Sequence, residues 1–202
     1  MAGVPSATCG GPAPPRLVLT DHLVVRALAA AEAPLLQAHV SGLSARSRQS
    51  RFLGGVNLLT RAEAERLVGG AGGPVFALAA EADAGGGREL IGEGVCALST
   101  DGVSAEFALS VADAWQGQGV GRAILAGLAL RAIARGAGRL HGEVLRGNDR
   151  MLSLAVRAGF VAATHRGDPR LLRIERVFPA VAVLRGRLRA IGYAFFHYAP
   201  KA

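Results

Sequence analysis

Apolar and polar residues alternate from Ala105 to Val111, with Ala105, Phe107, Leu109 and Val111 on one face and Glu106, Ala108 and Ser110 on the other. A period of two predicts a half-buried strand, with space left above the face of small residues beside Glu106. The period then changes: Val120, Ile124, Leu125 and Leu128 fall on one stripe of a 3.6-residue repeat, with Arg122, Arg131 and Arg135 elsewhere, which predicts an amphipathic helix. A second strand–helix unit follows. Leu140, Gly142 and Val144 alternate with His141, Glu143 and Leu145; Asn148 then stands at an N-cap with Asp149 in the first turn. Met151, Leu152, Ala155, Val156 and Ala158 make the apolar side of that helix, and Gly159 closes it.

Upstream, the pattern predicts a strand over 23–26 and a helix over 31–40. Thr60-Arg61-Ala62-Glu63 is a capping box that opens a second helix running to Val68, and Gly69, Gly70, Gly72 and Gly73 end it. Strands are predicted over 75–80 and 90–98, joined across Asp83 to Arg88 by a Gly-rich hairpin loop, and a final strand over 171–178. No internal repeat is visible.

At 202 residues and 50% hydrophobic content, the chain suits one substantial core rather than two. The reading divides it into a flexible leader (1–15), one domain (16–178) and a C-terminal extension (179–202). In the extension, Ala182, Val183, Leu184, Leu188 and Ile191 accompany Arg185, Arg187 and Arg189, ahead of Phe195, Phe196 and Tyr198. That composition suits packing on the domain or on another subunit, or weak contact with an anionic membrane surface.

The formal charge is +8, carried by arginines except for Lys201, so the surface attracts polyanions such as coenzyme A or nucleic acid. The arginines are scattered and aromatics are 5%, which argues against a specific nucleic-acid platform. Cys9 and Cys96 form no plausible structural disulfide, residues 1–15 lack signal-peptide character, and no span is long enough to cross a bilayer, so a cytoplasmic location is expected. His22, His39, His141, His165 and His197 show no metal-ligand spacing; no metal is expected.

Between the first strand and helix lies Gln116-Gly117-Gln118-Gly119-Val120-Gly121. Glycines admit close approach to the backbone, and unpaired amides at a helix N-terminus suit a phosphate. No Gly-Lys-Ser/Thr is present for a P-loop, and Arg122 stands where a dinucleotide fingerprint needs its third glycine. Gln-x-x-Gly-x-Gly does resemble the coenzyme A pyrophosphate loop of the GNAT superfamily of N-acetyltransferases. Asn148, Gly159 and Phe160 match further positions of that superfamily. Leu43-Ser44, Arg46-Ser47-Arg48 and Arg51-Phe52, with Ala105-Glu106-Phe107 and Gly142-Glu143-Val144-Leu145, resemble the acetyltransferase domain of bacterial Pat-type protein-lysine acetyltransferases. The resemblance covers about residues 22–178.

It implies an α/β (α+β) acyl-CoA N-acyltransferase fold, with a central mixed, mostly antiparallel sheet and helices on both faces. It implies acetyl-CoA as cosubstrate, held by Leu109, Ser110 and Val111, by Gln116, Gly117, Gln118, Gly119, Val120, Gly121 and Arg122, and by Asn148. A main-chain amide near Leu109 to Val111 would support the developing oxyanion. An amine with the ordinary lysine pKa of about 10.4 is protonated at neutral pH, so transfer needs a base. Glu106 matches the glutamate that serves as base in Pat-like domains, and Glu143 is the second candidate; ion pairing with arginine is the structural alternative for both. Ala155 stands where many of these enzymes carry a tyrosine general acid, a departure that a thiol of pKa about 8.5 tolerates as leaving group. The acceptor is an amine, with a protein lysine in view; a small-molecule amine, or a non-catalytic acyl-CoA-binding module, remains as an alternative.

Overall fold

The computed structural model describes residues 17–20 (main chain only), 23–54, 58–70, 72–83 and 87–179. The expected leader, and the expected extension beyond residue 179, lie outside them. In chain order the elements are β1 (Leu17–Thr20), β2 (Leu23–Ala27), α1 (Ala33–Gly42), α2 (Ala45–Phe52), α3 (Arg61–Val68), β3 (Val75–Asp83), β4 (Arg88–Leu98) and β5 (Ser104–Val111). These are followed by α4 (Val120–Ala134), β6 (Arg139–Leu145), α5 (Asp149–Arg157), β7 (Val161–Thr164) and β8 (Leu171–Val177).

The strands form one sheet in the order β1-β2-β3-β4-β5-β6-β8-β7. β5 and β6 pair in parallel, and every other neighbouring pair is antiparallel. The mixed, mostly antiparallel sheet expected from the resemblance is therefore present, with helices on both faces.

Period two divides β3 and β4 between two cores, while β5 and β6 contribute to one of them. On one face Phe76, Leu78, Cys96, Ala105, Phe107, Leu140 and Val144 meet Ile124, Leu125 and Leu128 of α4. On the other, Ala77, Ala79 and Val95 meet Leu36 and Val40 of α1 and Ala64 and Val68 of α3. α4 lies close to the sheet because β4 has glycines beneath it: a Cβ on Gly94 would stand 2.4 Å from Cγ2 of Ile124, and one on Gly92 2.9 Å from Cδ1 of the same residue. More of α4 is buried than the predicted stripe, with Ala123, Ala129, Ala132 and Ile133 also enclosed.

The capping box holds as read: Thr60 Oγ1 accepts from the Glu63 amide at 3.3 Å, and the Glu63 carboxylate accepts from the Thr60 amide at 2.8 Å. α5 ends in a Schellman turn, in which the amides of Gly159 and Phe160 donate to Val156 O and Ala155 O at 3.0 and 2.9 Å, and Gly159 takes φ 79°. Three elements go beyond the pattern reading: β1, β7 and α2. β3 and β4 are also longer than predicted, because the alternation continues into the charged ends of their hairpin.

Candidate functional site

The parallel pairing of β5 with β6 covers only Ser104↔Arg139, Ala105↔Leu140 and Glu106↔His141. Beyond that point β5 stays with β4 as far as Val111, and β6 stays with β8 as far as Leu145. The two strands therefore part, and a wedge opens in the middle of the sheet. Its apex is tight because residue 142 is glycine: a Cβ there would stand 2.8 Å from the Phe107 carbonyl oxygen.

At the open end, three segments converge. The loop before α4 has Gly117 at φ 80° and Gly119 at φ 87°, and a Cβ on either would meet no atom within 4 Å, so this main chain is accessible. Gly119 caps α4 without a side-chain bond, and the first helical hydrogen bond runs from the Ala123 amide to Gly119 O at 3.0 Å. The amides of Val120, Gly121 and Arg122 thus lack intrahelical acceptors at the positive end of a 15-residue helix. Gly121 packs instead of opening outwards: a Cβ would lie 3.3 Å from Leu154, 3.7 Å from Val111 and 3.9 Å from Leu109. Leu109 and Val111 accordingly turn their side chains towards α4, and only their main chain can serve the wedge.

Gln116 is a tie between elements. Its Nε2 donates to Val111 O at 3.1 Å and to Ser47 Oγ of α2 at 3.2 Å, and its Oε1 accepts from Arg150 of α5. Gln118 donates to Ala114 O at 2.9 Å, and Arg122 is exposed. Asn148 caps α5, its Oδ1 accepting from the Met151 amide at 3.2 Å, while its amide nitrogen carries no bond among the described residues. The accessible glycines, the open amides and the wedge together fit a thin phosphate-bearing thioester such as acetyl-CoA.

Glu106 stands at the apex, on the face opposite α4. It is exposed and makes no hydrogen bond or ion pair among the described residues. Glu143 is engaged: its Oε1 lies 3.0 Å from Nε2 of His165, whose Nδ1 accepts from the amides of Gly167 and Asp168 at 3.1 and 2.9 Å. Nδ1 is thus an acceptor, so Nε2 holds the proton and donates it to Glu143, pinning the β7–β8 loop to β6. The partner is a histidine, not one of the arginines the sequence suggested.

Two features escaped the sequence reading. One is His141, the register partner of Glu106, whose Nδ1 is buried without a hydrogen-bond partner. Burial lowers its pKa, helped by Arg173 and opposed by Glu106 and Glu175. The other is a polar network beneath α1 and α2. Arg51 Nε donates to Glu93 Oε1 at 2.6 Å, Ser110 Oγ donates to the same oxygen at 2.7 Å, and His39 Nε2 lies 3.0 Å from Ser110 Oγ. The Glu93 side chain is 0% exposed and that of Arg51 6%. Ser110 is therefore covered, and the space expected above its strand face is confined to the Glu106 end. A carboxylate inside the apolar run of β4, Leu90 to Leu98, was the signal available for this network.

The Leu43–Phe52 segment acquires a structural meaning here. Ser44 is the N-cap of α2, and Asp113, just past β5, accepts from its amide and hydroxyl at 2.9 Å each and from the Ser47 hydroxyl at 2.8 Å. α2 is thereby fastened beside the wedge, on the face opposite α4. Between α2 and the β6–α5 turn lies a cleft of about 440 Å³. Among the described residues, no group of histidine, cysteine and carboxylate side chains is arranged to hold a metal, and no helix is long and apolar enough to cross a membrane.

A family model described as "Acetyltransferase (GNAT) family" matches residues 53–160. The GNAT domain of S. lividans PAT is similar in structure at TM-score 0.68, with 27% identity over 77% of this chain and 90% of that one. RimL, a ribosomal L7/L12 alpha-N-protein acetyltransferase solved with coenzyme A, gives 0.63 with 16% identity, covering 81% of this chain and 98% of that one. The ribosomal-protein-S18-alanine N-acetyltransferase from Escherichia coli gives 0.56 with 19% identity, over 78% and 93%. No curated protein matches this chain in sequence.

Proposed function

Given that this chain belongs to the GNAT acetyltransferase family, whose members are acetyl-CoA-dependent N-acetyltransferases, we propose that it acetylates a protein lysine with Glu106 as general base. The observation that carries this reading is the unpartnered Glu106 carboxylate at the apex of the wedge, with the open N-terminus of α4 across the sheet from it. The amides of Val120 to Arg122 would hold the pyrophosphate, with Gly117 and Gly119 leaving room for it. Asn148 and the main chain of Leu109 to Val111 would line the arm. The bound cosubstrate supplies a thioester. Glu106 takes the ammonium proton from the acceptor, directly or through one water, and an amide near Leu109 to Val111 donates to the thioester oxygen. Glu143, spent on His165, is a positioning residue for the β7–β8 loop. The Pat-type segment, residues 43–52, is what favours a protein lysine over a small amine.

Thiol release from acetyl-CoA with lysine peptides tests the reading. Glu106→Gln should lower turnover by about 10²–10⁴-fold with little change in acetyl-CoA affinity. Full activity in this variant together with inactivity of Glu143→Gln would reverse the assignment.

A further inference from the structure

The cleft between α2 and the β6–α5 turn is lined by Arg46, Gln49 and Ser50 on one side and by Leu145–Asn148 and Arg170 on the other, without a carboxylate. Its three arginines differ in what holds them. Arg170 is neutralised by Asp168, at 2.7 Å. Arg146 is aimed by neutral oxygens alone: Nε donates to Pro169 O at 2.6 Å and Nη2 to Thr164 Oγ1 at 3.4 Å. Arg46 is exposed and has no hydrogen bond or ion pair among the described residues. Two full positive charges therefore face the same space, beside the N-terminus of α5.

Arg46, on α2, brings its charge from the face of the sheet that Glu106 occupies. α2 covers the sheet face opposite α4, as the contacts of Arg51 with Glu93 and of Gly94 with Ile124 show, whereas the open amides for phosphate begin α4. Resting on the reading of Glu106 as base, we propose that the cleft binds an anionic group of the acceptor itself, a carboxylate or phosphate carried some distance from the amine. The distance follows from register. His141 pairs with Glu106, and Leu145, four residues further along β6, lines the cleft, so about 13 Å of strand separates the register position of the base from the rim of the cleft. An α-amino acid, with amine and carboxylate on one carbon, is too short to bridge that span. A lysine side chain with an acidic residue beside it reaches it, as does a long ω-amino acid whose chain is extended.

The test compares lysine peptides of one length flanked by aspartate, alanine or arginine, and pairs 6-aminohexanoate with hexylamine, using wild type, Arg46→Glu and Arg46→Ala/Arg146→Ala. Arg46 is exposed and unpartnered, so its substitution leaves the fold intact; circular dichroism checks the double variant. Acid-flanked peptide should exceed arginine-flanked peptide at least tenfold in kcat/KM at low salt. The ratio should shrink towards one in the double variant and invert in Arg46→Glu, with the KM for acetyl-CoA unchanged. A preference confined to 6-aminohexanoate would assign the anion to a small acceptor; one seen in the peptides assigns it to a polypeptide. Equal kcat/KM for all flanks together with no preference for 6-aminohexanoate over hexylamine, or a rise in the KM for acetyl-CoA alone, overturns the proposal, the second by giving the arginines to the coenzyme. Calorimetric binding of the same peptides to protein saturated with coenzyme A separates the two readings: charge-ranked binding without transfer sinks the transferase reading and leaves this one standing, while loss of the ranking sinks this one.

Discussion

Single residues in this protein divide sharply between those committed to structure and those left open, and the division is made by partners. Glu93 and Glu106 lie on neighbouring strands, yet one is sealed against Arg51 and Ser110 while the other is exposed without a bond. A buried charge that loses its partner is left unsolvated, which is costlier than losing both together. Glu93→Gln should therefore destabilise the fold by about 3–5 kcal/mol in urea titration. Ser110→Ala should cost less, about 1–3 kcal/mol, because the ion pair survives and only the hydroxyl bonds to Glu93 and His39 are lost. A Glu93→Gln variant within 1 kcal/mol of wild type would show that the network does not hold the helices down. Cys96 illustrates the inert end of the scale: burial pushes its thiol up to about 12, so it acts as a small apolar side chain of β4.

Among elements, α2 is the one held chiefly by polar groups. Its sequence, ARSRQSRF, has no apolar stripe, and no residue in it is fully buried. Eight residues do not make a stable helix alone in water, so the anchors at its N-terminus decide whether it forms. Asp113→Ala removes the acceptor for the Ser44 amide, the Ser44 hydroxyl and the Ser47 hydroxyl at once. Hydrogen exchange over residues 45–52 should then accelerate at least tenfold while β3, β4 and β5 remain protected; unchanged exchange would mean that Arg51 and Glu93 suffice. The same polarity explains why hydrophobic periodicity missed this helix, though the resemblance marked its residues. β7 was missed for another reason. Its four residues, Val161–Thr164, are all exposed at the sheet border, so no alternation between buried and open positions is imprinted on them. Where a face is buried, as in β5, β6 and α4, the period was legible and the elements appear within a residue or two of the reading; α5 also lies where it was read, but Val156, placed on its apolar side, is exposed, and Leu154 packs on the core instead. The glycine-rich turn before α4 was legible too, because its glycines sit between two such elements. The cross-strand meeting of Glu106 with His141 was not, since register between distant segments leaves no mark in either one.

At the scale of the whole molecule, burial of histidine ties stability to pH. His39 is held below its ordinary value of 6.5 chiefly by burial, against the pull of Glu93, and His141 is lowered in the same sense. A lowered histidine pKa means that the unfolded chain takes up the proton first, so the contribution is complete above about 6.5 and is lost as pH falls towards the folded-state value. Unfolding free energy should fall between pH 7.5 and 5.5, and His39→Gln should flatten part of that slope. Carboxylates held low, such as Asp113 by the Ser44 amide, add their own loss only at still lower pH, below the ordinary carboxylate value of 3.8. An identical slope in wild type and His39→Gln would remove His39 from this account.

The parting of β5 from β6 has one more consequence. A sheet normally has two borders, and bare main chain at a border invites other strands to pair with it. Here a third stretch of main chain, along residues 107–111, lies inside the sheet with a strand on one side of it only. It is a slot whose width shrinks to nothing at Glu106 and His141, and α2 stands over one side of it. A full β-strand, with side chains projecting on both faces and needing nearly 5 Å on each flank, cannot slide to its end. A slender chain with amides of its own and no side branches can. The taper passes a slender unbranched chain by calibre and resists a full strand, so the gap is a poor place for polypeptides to polymerise.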